Sequence, residues 1–194
     1  KPCMKREGTY MTKLYGNAVV GQSGGPTAAI NATLAGVIRG VKKSTCIKTL
    51  YGMRNGVEGL MKENLVDLST YFDSEKKLEL LENTPAAALG SCRKKLPLVE
   101  GNKEFYDNLI EIFKKHDIRY FFYIGGNDSM DPCHKISQYM QKAGYACRVM
   151  GVPKTIDNDL WGTDHCPGYA SAAKYIATSM MEVYHDAHVY DTGM

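Results

Sequence analysis

The chain has 194 residues, 44% hydrophobic and 23% charged, an ordinary balance for a soluble globular protein and enough length for one α/β domain with its own core. A net charge of +3 without a stripe of Lys and Arg gives no basis for a nucleic-acid partner, and no apolar run approaches the ~20 residues that span a membrane. Cys3, Cys46, Cys92, Cys133, Cys147 and Cys166 show neither CxxC nor finger spacing. They read as reduced thiols rather than a disulfide or zinc framework. With no signal-peptide pattern, the expectation is a cytoplasmic protein with no membrane partner.

Residues 1–14 begin with KPCMKREGTY, which has no periodicity. They are expected to be a disordered stretch or an extension, with a natural start at Met11. Residues 15–194 form the expected domain. Asn17 to Gly21 (NAVVG) reads as a buried strand running into a glycine turn. A helix follows over 28–41, with Ile30, Leu34, Val37 and Val41 on one face. A second strand fits Cys46 to Tyr51. From Gly52 to Pro97 the pattern breaks into short apolar pieces, read as short helices and loops. Lys94 and Lys95 within it read as solvated surface.

Regular patterning returns with a helix over 103–116, where Phe105, Leu109 and Ile112 share a face. Tyr120 to Ile124 (YFFYI) is a buried strand ending in two glycines. A helix over 130–143 and a strand over 146–152 come next. The last helix covers 168–187, with Tyr169, Ala173, Ile176, Met180 and Val183 on one stripe. Its small residues at 170–173 predict close packing. Strand, glycine turn and helix recurring in this order predict a doubly wound, mostly parallel α/β sheet with helices on both faces, Rossmann-like in layout. Ligands of such sheets bind beyond the carboxyl ends of the strands.

Three loops fall at those ends. GQSGGPT, Gly21 to Thr27, has glycines that let a backbone approach a phosphate, but neither a Walker A nor a GxGxxG pattern. A plain strand-to-helix turn is the competing reading. GGNDS, Gly125 to Ser129, suits a phosphate or a metal–phosphate complex; the competing reading has Asp128 capping the next helix. GVPKTIDNDL, Gly151 to Leu160, places a cation (Lys154) and a hydroxyl (Thr155) just before two carboxylates, Asp157 and Asp159. Phosphoryl transfer to an alcohol needs a base near the attacking hydroxyl and positive charge on the transferring group. A polar Asx-rich turn is the bland alternative. His185 and His188, three apart on the last helix, read as a solvated face rather than metal ligands.

GGPTAAIN at 24–31, LGSCR at 89–93, GGNDS at 125–129, PKTIDND at 153–159 and PGYASAAKYI at 167–176 resemble, in order and spacing, the successive motifs of the phosphofructokinase family. The resemblance covers roughly residues 15–190. It implies a phosphofructokinase-type fold and an enzyme that phosphorylates the C1 hydroxyl of fructose 6-phosphate, with Mg2+ as cofactor and a homo-oligomeric full-length protein. By this resemblance Asp157 is the general base. Thr155, Ile156, Asp157 and Asp159 lie against the sugar-phosphate substrate. Gly24, Gly25, Arg93, Asn127, Asp128, Ser129 and Lys154 bind the donor, with Arg93 and Lys154 also stabilising the transferred phosphoryl group.

The ATP-using branch resembles GGDGS and PGTIDND, with Gly where this chain has Asp128 and Lys154. A carboxylate there fills the space of the ATP α-phosphate and repels it, and the lysine grips a shorter donor, so the resemblance points to the pyrophosphate-dependent branch. ATP-dependent 6-phosphofructokinase is the alternative. Asn127 departs from the Asp that the family associates with Mg2+ and is a weaker ligand for a hard cation. The metal then falls to Asn127 or Asp128, or the chain is a metal-impaired, non-catalytic regulatory subunit. NAD-kinase or lipid-kinase relatives share a GGD-type loop but not PKTIDND and LGSCR. The sequence ends just after a long helical pattern, which reads as a truncation before a C-terminal sugar-phosphate domain.

Overall fold

A computed structural model describes residues 13–192; Cys3, Met11 and most of the expected 1–14 extension lie outside this range. Five strands form one sheet: β1 (Gly16–Gln22), β2 (Ile47–Met53), β3 (Leu65–Asp67), β4 (Ile118–Gly125) and β5 (Arg148–Pro153). Their spatial order is β3-β2-β1-β4-β5. All neighbours pair in parallel except β2 and β3, which are antiparallel. Leu14, the last residue of the expected extension, is tied to this sheet through its carbonyl, which accepts from the Tyr120 hydroxyl at 2.9 Å.

Alternation along the strands divides the core into two layers. Val19 of β1 and Phe121 and Tyr123 of β4 face one layer. It is completed by α2 (Gly56–Met61), α5 (Lys103–Lys115) and α6 (Asn127–Lys142). Ala18, Val20 and Ile124 face the other, under α1 (Ile30–Lys42), α3 (Leu68–Tyr71) and α4 (Glu75–Glu82). The expected α/β class and the helices on both faces are therefore present. α1 follows β1 on one face and α6 follows β4 on the other. The strand order thus reverses between β1 and β4, the switch point at which such sheets open a ligand crevice.

Three expectations shift. β3 is a short antiparallel strand inside the region read as helices and loops. On α1 the buried stripe runs through Ile30, Leu34, Ile38 and Val41, with Val37 only half-buried. α6 begins at Asn127 rather than Met130, and its N-cap is Gly126, which carries no capping side chain. The polar triplet Asn127–Asp128–Ser129 therefore forms the first helical turn, and Asp128 does not cap it.

The close packing expected for the last helix, α7 (Tyr169–Ala187), is a larger correction. None of its residues is buried; Ile176, Met180 and Val183 are each about 60% exposed (59%, 61% and 60%). Small residues let another element approach closely, but no described element occupies that face.

Candidate functional site

Strand register brings the three loops together. Gln22 of β1 lies opposite Ile124 of β4, and Gly125 of β4 lies opposite Pro153 of β5. The segments that leave these strands emerge side by side. Ser23 N donates to Ile124 O at 2.9 Å, and Lys154 N to Gly125 O at 2.9 Å, so the ladder continues one step into each loop. Ser129 Oγ donates to Ser23 Oγ at 2.9 Å and ties the second loop to the first. A side chain at Gly125 would collide with Ser129 Oγ, so this crossing needs the glycine.

A fourth segment, 84–95, is delivered by buried polar groups. Gln22 and Asn31 are 0% and 1% exposed. Gln22 Nε2 donates to Asn31 Oδ1 at 3.0 Å, and Gln22 Oε1 accepts from Leu89 N at 2.9 Å. Asn31 Oδ1 accepts from Ala88 N at 2.9 Å while Asn31 Nδ2 donates to Thr84 O at 2.8 Å. The chain beyond is stitched to the first glycine loop: Gly24 N donates to Cys92 O at 3.1 Å, Ser23 Oγ donates to the same carbonyl at 3.2 Å, and Ser91 Oγ donates to Gly24 O. Gly24 has φ +78°, a left-handed conformation that glycine adopts without strain.

These four segments enclose a cavity of about 260 Å³. Its floor is Ser23, Gly24 and Gly25; one wall is Gly126 to Ser129 on the first turn of α6. Another wall is Cys92 to Lys95, and the remaining side is Lys154, Thr155 and Asp157. Nine of the eleven predicted site positions line this cavity. Gly24, Gly25, Asn127, Asp128, Ser129, Thr155 and Asp157 line the cavity together with Arg93 and Lys154. Asp159 stands beside it, its Oδ2 accepting from Asn127 Nδ2 at 2.8 Å. Ile156 is 46% exposed and does not line it. Ser23, Cys92, Lys94, Lys95, Gly126 and Pro132 line the cavity without being among the predicted site positions; the lysines are solvent-exposed, as read, but on the site.

The electrostatics follow from this arrangement. Lys154 is 4% exposed and its Nζ donates to Gly25 O. Burial lowers its pKa from the ordinary 10.5; attraction to Asp157 opposes this, and repulsion from Arg93 adds to it. Two cations therefore face each other across the glycine loop. The carboxylate side is ordered by local turns. Thr155 Oγ1 accepts from Asp157 N at 3.1 Å. Asn158, at φ +54°, accepts from Cys166 N at 2.8 Å and donates to Asp164 O at 3.1 Å, closing the 158–166 loop. Asn127 bonds through both its amide groups, since its Oδ1 also accepts from Asp128 N at 3.0 Å. Among the described residues no cluster of three or more His, Cys, Asp or Glu forms a closed metal cage. Mg2+ commonly takes one or two carboxylates and completes its shell with substrate phosphates, so Asp128, which lines the cavity, fits a cation that arrives with a phosphorylated ligand.

Glycine backbone, a helix N-terminus and facing cations are the groups from which phosphate sites are built. Beside them stand the carboxylates of Asp157 and Asp159. The phosphofructokinase family model matches residues 17–192. The chain belongs to the phosphofructokinase family. It is 49% identical over 167 residues to the pyrophosphate–fructose 6-phosphate 1-phosphotransferase of Halomonas elongata, covering 86% of this chain and 39% of that one. It is 48% identical over 171 residues to the enzyme of the same name from Methylococcus capsulatus, covering 88% and 40%. The crystal structure of a pyrophosphate-dependent phosphofructokinase from Nitrosospira multiformis superposes with a TM-score of 0.83 at 47% identity, covering 91% of this chain and 43% of that one. The chain thus spans about two fifths of the length of these phosphofructokinases. Among the described residues, no helix is long and apolar enough to cross a membrane.

Proposed function

We propose that the protein to which this segment belongs transfers a phosphoryl group from pyrophosphate to the C1 hydroxyl of fructose 6-phosphate, reversibly giving fructose 1,6-bisphosphate and orthophosphate. Residues 15–194 are its N-terminal, donor-binding domain; the sugar-phosphate domain belongs to the remainder of a homo-oligomeric cytoplasmic enzyme. The observation that carries this reading is the pairing of Asp128 and Lys154 on one small cavity. Asp128 sets a carboxylate where a longer donor would need to pass its next phosphate. Lys154 supplies buried positive charge for the negative charge that is all pyrophosphate, lacking base and ribose, offers a protein to grip.

In the forward reaction Asp157 accepts the C1 hydroxyl proton as the oxygen attacks the near phosphorus. The bridging P–O bond breaks and orthophosphate leaves with the bond's electron pair. Lys154 and Arg93 hold the charge that builds on the transferring group. Gly24, Gly25 and the first turn of α6 seat the donor through their backbone. Thr155 orders Asp157, and Asp159 is fixed by Asn127. Mg2+, held by Asp128, would neutralise phosphate charge when bound. Asn127 has an account that does not require a defective site, since an amide here bonds Asp159 where a second carboxylate would repel it.

Initial rates with pyrophosphate and with ATP, measured on the complete open reading frame with and without Mg2+, test the reading. Pyrophosphate should be preferred, and Asp157→Ala should lower kcat by a factor of about 10²–10⁴, the usual weight of a general base. Preference for ATP by the wild type would overturn the choice of donor. Full activity of Asp157→Ala would remove the base.

A further inference from the structure

We infer that Lys94 and Lys95 are donor-binding residues that help select a compact polyanion, an assignment that rests on reading the cavity as a pyrophosphate site. Arg93, Lys94, Lys95 and Lys154 all line the cavity, against only Asp128 and Asp157. The site therefore carries an excess of two positive charges before any ligand enters. Among the described residues Arg93, Lys94 and Lys95 form no ion pair that would offset this.

The backbone between these cations is anchored at both ends. Cys92 is 8% exposed and its carbonyl takes the two bonds from the first glycine loop. Lys94 N donates to Cys92 Sγ at 3.3 Å. Leu96 is 3% exposed and its carbonyl accepts from Lys135 Nζ at 3.1 Å; Pro97 O accepts from the Tyr106 hydroxyl at 2.7 Å. Three consecutive cations thus stand on a short tether fixed to the core. Their side chains are long, but the backbone that carries them is bonded at both ends. Flexible ammonium groups grip charge without demanding shape. They reward a ligand whose charge is concentrated, and they add nothing for the neutral base and ribose of a nucleotide.

The test uses the full-length enzyme with Lys94→Ala/Lys95→Ala and, as a charge-preserving control, Lys94→Arg/Lys95→Arg. Affinity for imidodiphosphate, a pyrophosphate analogue with a non-hydrolysable bridge, is measured by calorimetry at low and high salt. KM for pyrophosphate and for fructose 6-phosphate is measured alongside. The double alanine variant is expected to bind imidodiphosphate about tenfold more weakly, as two partly exposed charge contacts of average strength give. Its affinity should also depend less on salt, KM for pyrophosphate should rise in step, and KM for fructose 6-phosphate should stay constant. The arginine variant should stay near the wild type. Unchanged affinity in the alanine variant overturns the inference and leaves the proposed function standing. Equal weakening by alanine and arginine overturns it too, because charge would not be the cause. A wild type that neither binds imidodiphosphate nor turns over pyrophosphate removes the proposed function, and this inference with it.

Discussion

Lys154 concentrates the chemistry of the site in one side chain. It is buried with Arg93 facing it, yet it must stay charged to attract a phosphate. Its lowered pKa has a definite sign for stability. Well below that pKa the lysine is protonated in both folded and unfolded chains, and the burial penalty is present in full. As pH rises toward 10.5 the folded chain releases its proton first, so this penalty is relieved in that window and not below it. For donor binding the sign is opposite. Imidodiphosphate affinity should fall as pH rises through the lowered pKa, well before an ordinary lysine would titrate. Lys154→Arg should abolish that alkaline limb, because arginine keeps its proton throughout. Calorimetric titrations between neutral pH and 10.5 would check this; an alkaline limb that survives in the arginine variant would assign it to another group. The residues of PKTIDND could be picked out from sequence because cation, hydroxyl and carboxylates sit within a few positions. Lys94 and Lys95 could not, since a lysine pair in a loop reads as solvated until its neighbours across the fold are known.

At the level of elements, the parallel sheet was legible because β1 and β4 each run through glycines into an amphipathic helix. YFFYI is an example: its residues alternate between the two core layers, and its closing glycines admit Ser129. The stretch from 52 to 97 was not legible. β3 has three residues, too few for a period, and its pairing is set by β2 rather than by its own pattern. The start of α6 was hidden for a different reason, since its N-cap is a glycine and announces nothing. Likewise Gln22 and Asn31 carry no local signal, yet they position the whole 84–95 segment. Asn31→Ala should therefore do more than loosen a helix. It leaves the Ala88 amide, the Thr84 carbonyl and the Gln22 amide short of a partner, and the expected loss is about 1–3 kcal/mol. Urea unfolding would measure it. A change within a few tenths of a kcal/mol would mean that water replaces these bonds and that the segment is held by other contacts.

Taken as a whole, the molecule is well packed at the sheet and open at α7. Core layers close over both faces of β1 and β4, while Tyr169, Ile176, Met180 and Val183 lie on a helix with no buried residue. The sequence showed the apolar stripe correctly; what it could not show is that none of the described elements covers it. On the proposed reading, these residues hold the donor's half of the reaction, a crevice with carboxylates beside it. The isolated 194-residue chain is accordingly expected to bind pyrophosphate weakly and to give no steady-state turnover with fructose 6-phosphate. A coupled assay for fructose 1,6-bisphosphate would check this, and a clear sustained rate would show that the sugar-phosphate site needs nothing beyond this segment.

The hydrogen bond from Asn127 to Asp159 joins the helix that follows β4 to the loop that follows β5. Had both positions been carboxylates, their repulsion would have kept the two segments apart until a cation bridged them. With a neutral amide the closure is intrinsic to the polypeptide. The entropy of ordering the two walls is then spent during folding, and an incoming donor with its cation meets a crevice that is already shaped.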